Sequence, residues 1–250
     1  MTGLTRRDLA GLAGGALFAP APARAQAPEG VEVVRYTSQD RPIAGLMFSP
    51  VGAAAQGPMA GAAAVLLHGS GGAQDDVHLF TEGALMLASR GYRVLLPNYY
   101  DATPREGAHS GPVSNRRWRQ AILDGVAWIG TRPGVDPARV GALGFSRGGG
   151  LVMDGAVRFG GPAAVVGVAS AANVEVAGIV HKPPMLLIWS DHDPVVGGAR
   201  PRAWADTLRQ AGVEVETAAL DSPRHRFDDA EWRAIFGRTN AFFERTLGKR

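Results

Sequence analysis

Residues 140–150 read VGALGFSRGGG, and this stretch decides the fold of the chain. Its first half is an apolar run typical of a strand that is buried on both faces. Its second half contains a G-x-S-x-G sequence, GFSRG at 144–148, which opens a predicted helix. A serine on such a strand–turn–helix junction is exposed above the sheet, beside a helix N-terminus that stabilises negative charge. We expect Gly144 and Gly148 to be required, because side chains there would clash with neighbouring backbone. The alternative is a Gly-rich helix start that Ser146 merely caps.

Strand and helix signals alternate along the rest of the chain. Strand patterns occur at 31–37, 43–48, 63–67, 93–97, 139–145, 164–169, 185–189 and 213–220. Helical spacing of apolar residues occurs at 79–90, 118–131, 148–158, 200–211 and 229–247. Strands separated by helices predict an α/β fold: a mostly parallel, doubly wound sheet of about eight strands with helices on both faces. The first two strands are close enough to form an antiparallel hairpin at the sheet edge. No repeat or internal boundary interrupts residues 26–250, so we predict one domain there.

The composition excludes several classes of protein. A chain of 250 residues with 46% hydrophobic residues is neither disordered nor fibrous. The absence of Cys removes disulfides, thiolate metal sites and any cysteine nucleophile. The formal charge is only +3, and the densest basic cluster beyond the N-terminus is Arg116, Arg117 and Arg119. Such a short cluster does not provide the basic face that nucleic-acid binding requires, so we expect no nucleic-acid partner.

Residues 1–25 are predicted to be an export signal that is removed. An Arg-Arg pair at 6–7 precedes an apolar stretch at 9–19, which is too short to span a bilayer, and cleavage sites of small residues end at Ala25 and Ala27. The segment resembles the bacterial twin-arginine signal. That resemblance implies the export machinery as a partner, no stable membrane insertion, and a periplasmic or secreted mature protein. The alternative is a flexible cytosolic tail. Cleavage after Ala25 removes three Arg and one Asp, so the formal charge falls from +3 to +1.

Residues for nucleophilic catalysis follow the serine in the expected order. A serine hydroxyl is a weak nucleophile that needs a base, and the base needs an orienting acid. After a G-x-S-x-G turn that order is Ser, then Asp or Glu, then His. Of the six histidines, only His225 lies in the loop after the last predicted strand, so it is the expected base for Ser146. Its alternative is an exposed loop histidine. The acid is Asp193 or Asp191, and we favour Asp193 because it precedes Pro194 in a turn-like run.

The loop after the third predicted strand reads HGSGG at 68–72. A loop at this position donates one backbone N–H to the tetrahedral oxyanion, and the residue after the nucleophile donates another. We therefore expect the backbone N–H groups of Ser70 and Arg147 to form the oxyanion hole, with His68 in a structural role. The adjacent acids and histidine at 191–193 rarely converge on one metal ion, and no Lys-Ser/Thr follows the glycines. No metal or cofactor is expected.

Over residues 30–247 the chain resembles the α/β-hydrolase superfamily, and within it the dienelactone hydrolase family. The segments that carry this likeness are 68–72, 88–97, 144–149, 193–194 and 225–227. The resemblance implies an acyl-enzyme mechanism in a catalytic domain at 26–250, acting on a small ester or lactone. Dienelactone hydrolases proper carry Cys where Ser146 stands, which favours a serine esterase or lipase-like relative. The alternatives are a peptidase or acyltransferase that uses the same residues, or a non-catalytic binding protein of the same fold.

Overall fold

The computed structural model describes residues 28–104 and 111–248, which are organised around an eight-stranded sheet. The strands are β1 (Val31–Ser38), β2 (Arg41–Phe48), β3 (Ala63–Leu67), β4 (Arg93–Pro97), β5 (Val140–Phe145), β6 (Ala164–Val168), β7 (Met185–Ser190) and β8 (Val215–Leu220). The α-helices are α1 (Ala73–Ser89), α2 (Pro112–Gly130), α3 (Arg147–Phe159), α4 (Ala199–Gln210) and α5 (Asp229–Leu247). A short 3-10 turn at Tyr99–Ala102 follows β4.

The strand order across the sheet is β1-β2-β4-β3-β5-β6-β7-β8. The pairs β1–β2 and β2–β4 are antiparallel, and every other neighbouring pair is parallel. Parallel strands that are joined by helices place all their carboxyl ends at one edge of the sheet. The loops after β3, β5, β7 and β8 therefore leave from the same edge, and this edge carries every predicted site residue.

Helices cover both faces of the sheet. Alternate residues of β3 point to opposite sides: Ala64 and Leu66 lie in the core beneath α1 and α5, while Val65 and Leu67 lie in the core beneath α2, α3 and α4. All residues of β3, β5, β6 and β7 are buried, as expected for central strands covered on both faces. The predicted fold, a mostly parallel α/β sheet of eight strands with an antiparallel edge hairpin, is confirmed.

Four predicted element boundaries are wrong by two residues or more, and the others differ by at most one. Helix α1 begins at Ala73 rather than at residue 79, and α2 begins at Pro112 rather than at residue 118. The first turns of both helices are mainly polar, so they break the apolar spacing, although first-turn acids in α1 and the proline in α2 favour a helix start. Strand β8 begins at Val215 rather than at residue 213, and β2 begins at Arg41 rather than at residue 43.

The predicted export signal lies outside the described residues. Within the described part of the chain, no helix has the length and apolar character that crossing a membrane requires.

Candidate active site

Ser146 occupies a strained turn at the carboxyl end of β5. Its φ of 49° and ψ of −114° lie in a region that side-chain-bearing residues rarely adopt, at a cost of about 1–3 kcal/mol. The turn is held in part by the backbone N–H of Ser146, which donates to the carbonyl of Val168 in β6 at 2.8 Å. The side chain does not cap α3. Ser146 therefore sits at the edge of the sheet with its hydroxyl available to other groups.

The two glycines of GFSRG are needed for the reason predicted from the sequence. A Cβ on Gly144 would lie 2.4 Å from the backbone nitrogen of Gly149, and one on Gly148 would lie 2.5 Å from the carbonyl oxygen of His68. Both distances are far below normal contact. The prediction that these positions exclude side chains is confirmed.

The structure brings Ser146, His225 and Asp193 together from three loops. The Nε2 atom of His225 lies 3.0 Å from Ser146 Oγ, and its Nδ1 atom lies 2.8 Å from Asp193 Oδ2. A carboxylate only accepts, so Nδ1 is the donor and Nε2 is left to accept from the serine hydroxyl. The Asp193 side chain is fully buried and that of His225 is 15% exposed. Phe145 packs against the imidazole, with ring centroids 5.1 Å apart.

The two candidate acids, Asp193 and Asp191, have different hydrogen-bond partners. Asp193 Oδ1 accepts from the backbone N–H groups of Val195 and Val196 at 2.7 and 2.9 Å, which leaves Oδ2 for His225. Asp191 instead accepts from the indole nitrogen of Trp189 at 2.8 Å and forms an ion pair with Arg202. The structure thus places Asp193 at the histidine and Asp191 away from it.

A buried serine joins the loops that carry Asp193 and His225. The hydroxyl of Ser190, the last residue of β7, donates to the carbonyl of Ser222 at 2.5 Å and accepts from the Ser222 N–H at 3.3 Å. It also accepts from the N–H of His192 at 3.2 Å. Ser190 could not be predicted from the sequence, since a serine at a strand end carries no signal of its own.

The loop at 68–72, called here the glycine loop, lies on the other side of Ser146. Arg147 is the first residue of α3, so its N–H is one of the donors that a helix leaves without an intrahelical acceptor. The Arg147 side chain donates through Nε to Ser70 Oγ at 3.1 Å. Its guanidinium lies 5.5 Å from the centre of the Trp118 ring. The two residues predicted to supply the oxyanion donors are therefore in side-chain contact, and Arg147 directly follows Ser146.

The glycine loop is held by side chains from other elements. Tyr99 donates its hydroxyl to the carbonyl of His68 at 2.8 Å, and Tyr100 donates to the carbonyl of Ser70 at 3.2 Å. On the opposite side the N–H of Gly69 donates to a side-chain oxygen of Asp76 at 2.6 Å. No pattern in the sequence predicts these contacts. The one available signal, an acid in the first turn of a helix, has a simpler explanation in the helix dipole.

His68, the first residue of the glycine loop, has a buried side chain. Its ring stacks on Tyr99 with centroids 3.9 Å apart, and Nδ1 donates to the carbonyl of Gly69 at 2.9 Å. Burial lowers the pKa of His68 to about 4, so the imidazole is neutral near pH 7. Its contacts are those of a structural residue, as expected.

Among the described residues, no group of three or more His, Asp or Glu side chains is arranged to hold a metal ion. The arrangement at the serine consists of a hydroxyl, a hydrogen-bonded imidazole and a buried carboxylate, with backbone donors nearby. Such a set can transfer a proton away from the hydroxyl as it attacks an electrophilic carbon.

A parallel sheet with a serine at the strand–turn–helix junction after β5 and a histidine after the last strand defines the α/β-hydrolase fold. The comparison with protein families places the chain more closely. The model of the dienelactone hydrolase family matches residues 43–238, and the chain belongs to that family. The resemblance seen in the sequence is thereby confirmed at the level of the family.

Solved structures support the fold. An esterase of Pyrococcus furiosus superposes with a TM-score of 0.70 at 16% identity, covering 92% of this chain and 99% of that one. A dienelactone hydrolase-like promiscuous phosphotriesterase from metagenomic libraries gives 0.66 at 21% identity, with 87% and 98% covered. Acylaminoacyl peptidase of Pyrococcus horikoshii gives 0.64 at 19% identity; 88% of this chain is covered, but the match spans only 42% of the peptidase. No curated protein sequence matches the chain significantly.

Proposed function

We propose that this protein is a serine hydrolase that cleaves small carboxylic esters or lactones through an acyl-enzyme intermediate. Ser146 is the nucleophile, His225 the general base and Asp193 the orienting acid. The observation that carries the proposal is the pair of contacts on one imidazole: 3.0 Å to the serine hydroxyl and 2.8 Å to the buried carboxylate. Both distances lie within the range that proton transfer requires.

Acylation follows from this geometry. As Ser146 Oγ bonds to the substrate carbonyl carbon, its proton passes to His225 Nε2, and the carbonyl oxygen becomes an oxyanion. Asp193 holds the imidazole with Nδ1 protonated and stabilises the imidazolium. When the tetrahedral intermediate collapses, the bond to the alcohol oxygen breaks and His225 gives its proton to that oxygen. The alcohol leaves, or stays tethered in the case of a lactone, and Ser146 carries the acyl group.

Deacylation repeats these steps with water. His225 takes a proton from a water molecule as the water oxygen attacks the acyl carbon. When the second tetrahedral intermediate collapses, its bond to Ser146 Oγ breaks, His225 gives its proton to that oxygen, and the acid is released. In both steps the N–H groups of Ser70 and Arg147 hold the oxyanion, and loss of one such donor costs on the order of 100–1,000-fold in turnover. No cofactor enters either step.

A serine nucleophile makes the acid–base contacts more important than a cysteine would. A cysteine thiol supplies some thiolate near neutral pH, whereas a serine hydroxyl depends on a base at the moment of attack. The chain contains no Cys, and the hydroxyl of Ser146 faces His225 directly. This difference supports an esterase rather than the reaction of a cysteine-dependent dienelactone hydrolase.

Labelling with a fluorophosphonate tests the nucleophile. We expect the wild-type protein to be labelled once, Ser146→Ala to lose the label, and Ser89→Ala, at an exposed serine on α1, to keep it. A wild-type protein that does not react would favour a non-catalytic binding protein. A Ser146→Ala variant that reacts equally would exclude Ser146 as the labelled nucleophile and place the reactive group elsewhere.

A substrate panel tests the reaction class. We expect turnover of p-nitrophenyl esters and simple lactones with no added metal or cofactor. Turnover restricted to aminoacyl amides would instead support a peptidase, and acyl transfer to an added alcohol in preference to water would support an acyltransferase. In each case Ser146→Ala serves as the inactive control.

We propose further that residues 1–25 direct export and that the mature protein is periplasmic or secreted. The support is the Arg6-Arg7 pair, the short apolar stretch after it and the small residues before the cleavage sites. Replacement of both arginines by lysine should leave a fused reporter in the cytoplasm. Export of that variant at the wild-type level would contradict the proposal.

A further inference from the structure

A buried carboxylate links the two sides of the site. Asp76, in the first turn of α1, has a fully buried side chain. Its Oδ2 accepts from the N–H of Gly69 in the glycine loop at 2.6 Å, and its Oδ1 lies 2.7 Å from a guanidinium nitrogen of Arg226. Arg226 directly follows His225 in the segment at 221–228, called here the histidine loop. One side chain therefore contacts the loop proposed to hold the oxyanion and the loop proposed to hold the base.

The contacts around this carboxylate leave little freedom. Arg226 also donates to the backbone carbonyl of Asp75 at 2.9 Å, so the histidine loop is attached to the start of α1 at two points. A Cβ placed on Gly69 would lie 2.9 Å from the Phe145 ring and 3.1 Å from Asp76 Oδ2. Gly69 is thus enclosed between Phe145 and Asp76. The same Phe145 ring packs against His225.

We propose that Asp76 and Arg226 form a positioning pair that sets the spacing between the Ser70 N–H and the His225 imidazole. Neither side chain touches the reacting atoms: Asp76 acts through Gly69, and Arg226 acts through its neighbour His225. The inference rests on the proposed function. Its physical reason is that a displacement of about 1 Å in a catalytic group costs on the order of 100-fold in rate.

A purely structural role makes a different prediction. A buried ion pair contributes little net stability, but removal of one partner leaves a buried group uncompensated and destabilises the fold. A structural role would therefore reduce the amount of folded protein while leaving each folded molecule fully active. A positioning role lowers turnover per active molecule and spares ground-state binding, which appears as a fall in kcat with KM nearly unchanged.

The test uses the full chain, p-nitrophenyl butyrate as substrate, and active sites counted by fluorophosphonate titration. We expect Arg226→Met to lower kcat per titrated site by about 10-fold and Asp76→Asn by about 10- to 100-fold, with KM changed less than about twofold. The asparagine effect is larger because its amide group presents a donor either to Gly69 or to Arg226. Arg226→Lys should recover most of the activity, since it retains the charge.

Arg224→Met is the matched control. Arg224 lies on the other side of His225, is exposed to a similar extent as Arg226 (53% against 47%), and also pairs with carboxylates, Asp228 and Glu231, but not with α1. We expect its kcat per titrated site to stay at the wild-type value. Because the two single changes break one interaction, we also expect the double variant Asp76→Asn/Arg226→Met to lose less than the product of their effects.

If Asp76→Asn and Arg226→Met both keep the wild-type kcat per titrated site, the proposed positioning pair is overturned. An equal loss in Arg224→Met would overturn it too, because the effect would then belong to the loop in general. If Asp76→Asn does not fold, Arg226→Met and Arg226→Lys decide the question. A wild-type protein that hydrolyses no ester would contradict the proposed function instead, which separates the two failures.

Discussion

The two sides of Ser146 are held in different ways. On the acid–base side, Asp193 is fixed by the N–H groups of Val195 and Val196, which belong to its own turn. On the oxyanion side, the glycine loop is fixed by Tyr99 from the turn after β4 and by Asp76 from α1. The contacts that fix Asp193 are contained within four consecutive residues, whereas those that fix the glycine loop depend on how separate elements pack.

This difference has a consequence for how each side responds to change. A carboxylate that accepts from its own turn keeps its geometry as long as that turn forms. A loop held by distant side chains moves whenever one of those elements shifts. We therefore expect substitutions outside the site to act through the two loops that distant side chains hold, the glycine loop and the histidine loop, and changes at Asp193 to act directly on the imidazole.

The largest expected effect is on the acid–base side. Asp193→Asn keeps the shape of the side chain but removes the charge that stabilises the imidazolium and selects its tautomer, so kcat should fall by about 10,000-fold. Asp191→Asn, two residues away and 41% exposed, should change kcat less than about twofold. Steady-state ester hydrolysis measures both variants. An equal loss in the two variants would mean that the acid is wrongly assigned.

The second-largest expected effect is on the oxyanion side, where Gly148 lies close to the His68 carbonyl. In Gly148→Ala the new Cβ would press on the His68 carbonyl at 2.5 Å and displace the glycine loop. We expect kcat to fall about 100-fold and the free energy of unfolding to fall by about 3 kcal/mol.

Gly237→Ala provides the control for that change. Apart from its chain neighbours and the backbone of its own helix turn, no atom lies within 4 Å of a Cβ at Gly237 in α5, so alanine should stabilise the helix by about 0.5–1 kcal/mol and leave kcat unchanged. Urea unfolding and hydrolysis assays report the two quantities. A Gly148→Ala variant with normal turnover would show that the glycine loop tolerates displacement.

The smallest expected effect is on the stability of the folded protein at low pH. Burial lowers the pKa of His68 to about 4, below its value near 6.5 in an unfolded chain. As the pH falls below about 6.5 the unfolded chain binds a proton that the folded protein takes up only near pH 4. Stability present above pH 6.5 is therefore lost, by about 2–3 kcal/mol between pH 7 and pH 4.5.

His68→Asn removes this proton uptake. Its free energy of unfolding should depend less on pH over that interval, by about the same 2–3 kcal/mol. Denaturant unfolding at a series of pH values measures the difference. Identical pH dependence in the wild-type protein and the variant would show that His68 does not anchor the loop as a neutral buried group.

Much of the fold could be predicted because the decisive signals are local. The buried run at 63–67 and the junction at 144–148 each contain their own evidence: apolar continuity in the first, glycines around a serine in the second. The predicted starts of α1 and α2 are wrong because the first turns of these helices are mainly polar. Apolar periodicity therefore begins later than the helix itself.

The residues of the candidate site also fall into those that local sequence signals predict and those that they do not. Ser146, Asp193 and His225 could be selected because chain order and strand ends are properties of the sequence, and the structure brings all three within hydrogen-bonding distance. Ser190 and the pair of Asp76 and Arg226 could not be selected. Arg226 and the Asp75 carbonyl that it contacts are separated by 151 positions, and no pattern along the chain relates them.

The sequence by itself determined the order of strands and helices along the chain, the junction that exposes Ser146 and the residue types that follow it. It did so because backbone conformation and burial depend mainly on neighbours within a few positions. Only the tertiary structure decided which of Asp191 and Asp193 reaches the histidine. It also decided which side chains hold the glycine loop, since those contacts arise when β4, α1 and the histidine loop pack at one edge of the sheet. The positions of the proposed oxyanion donors therefore depend on packing, while the order of the proposed nucleophile, acid and base can be read along the chain.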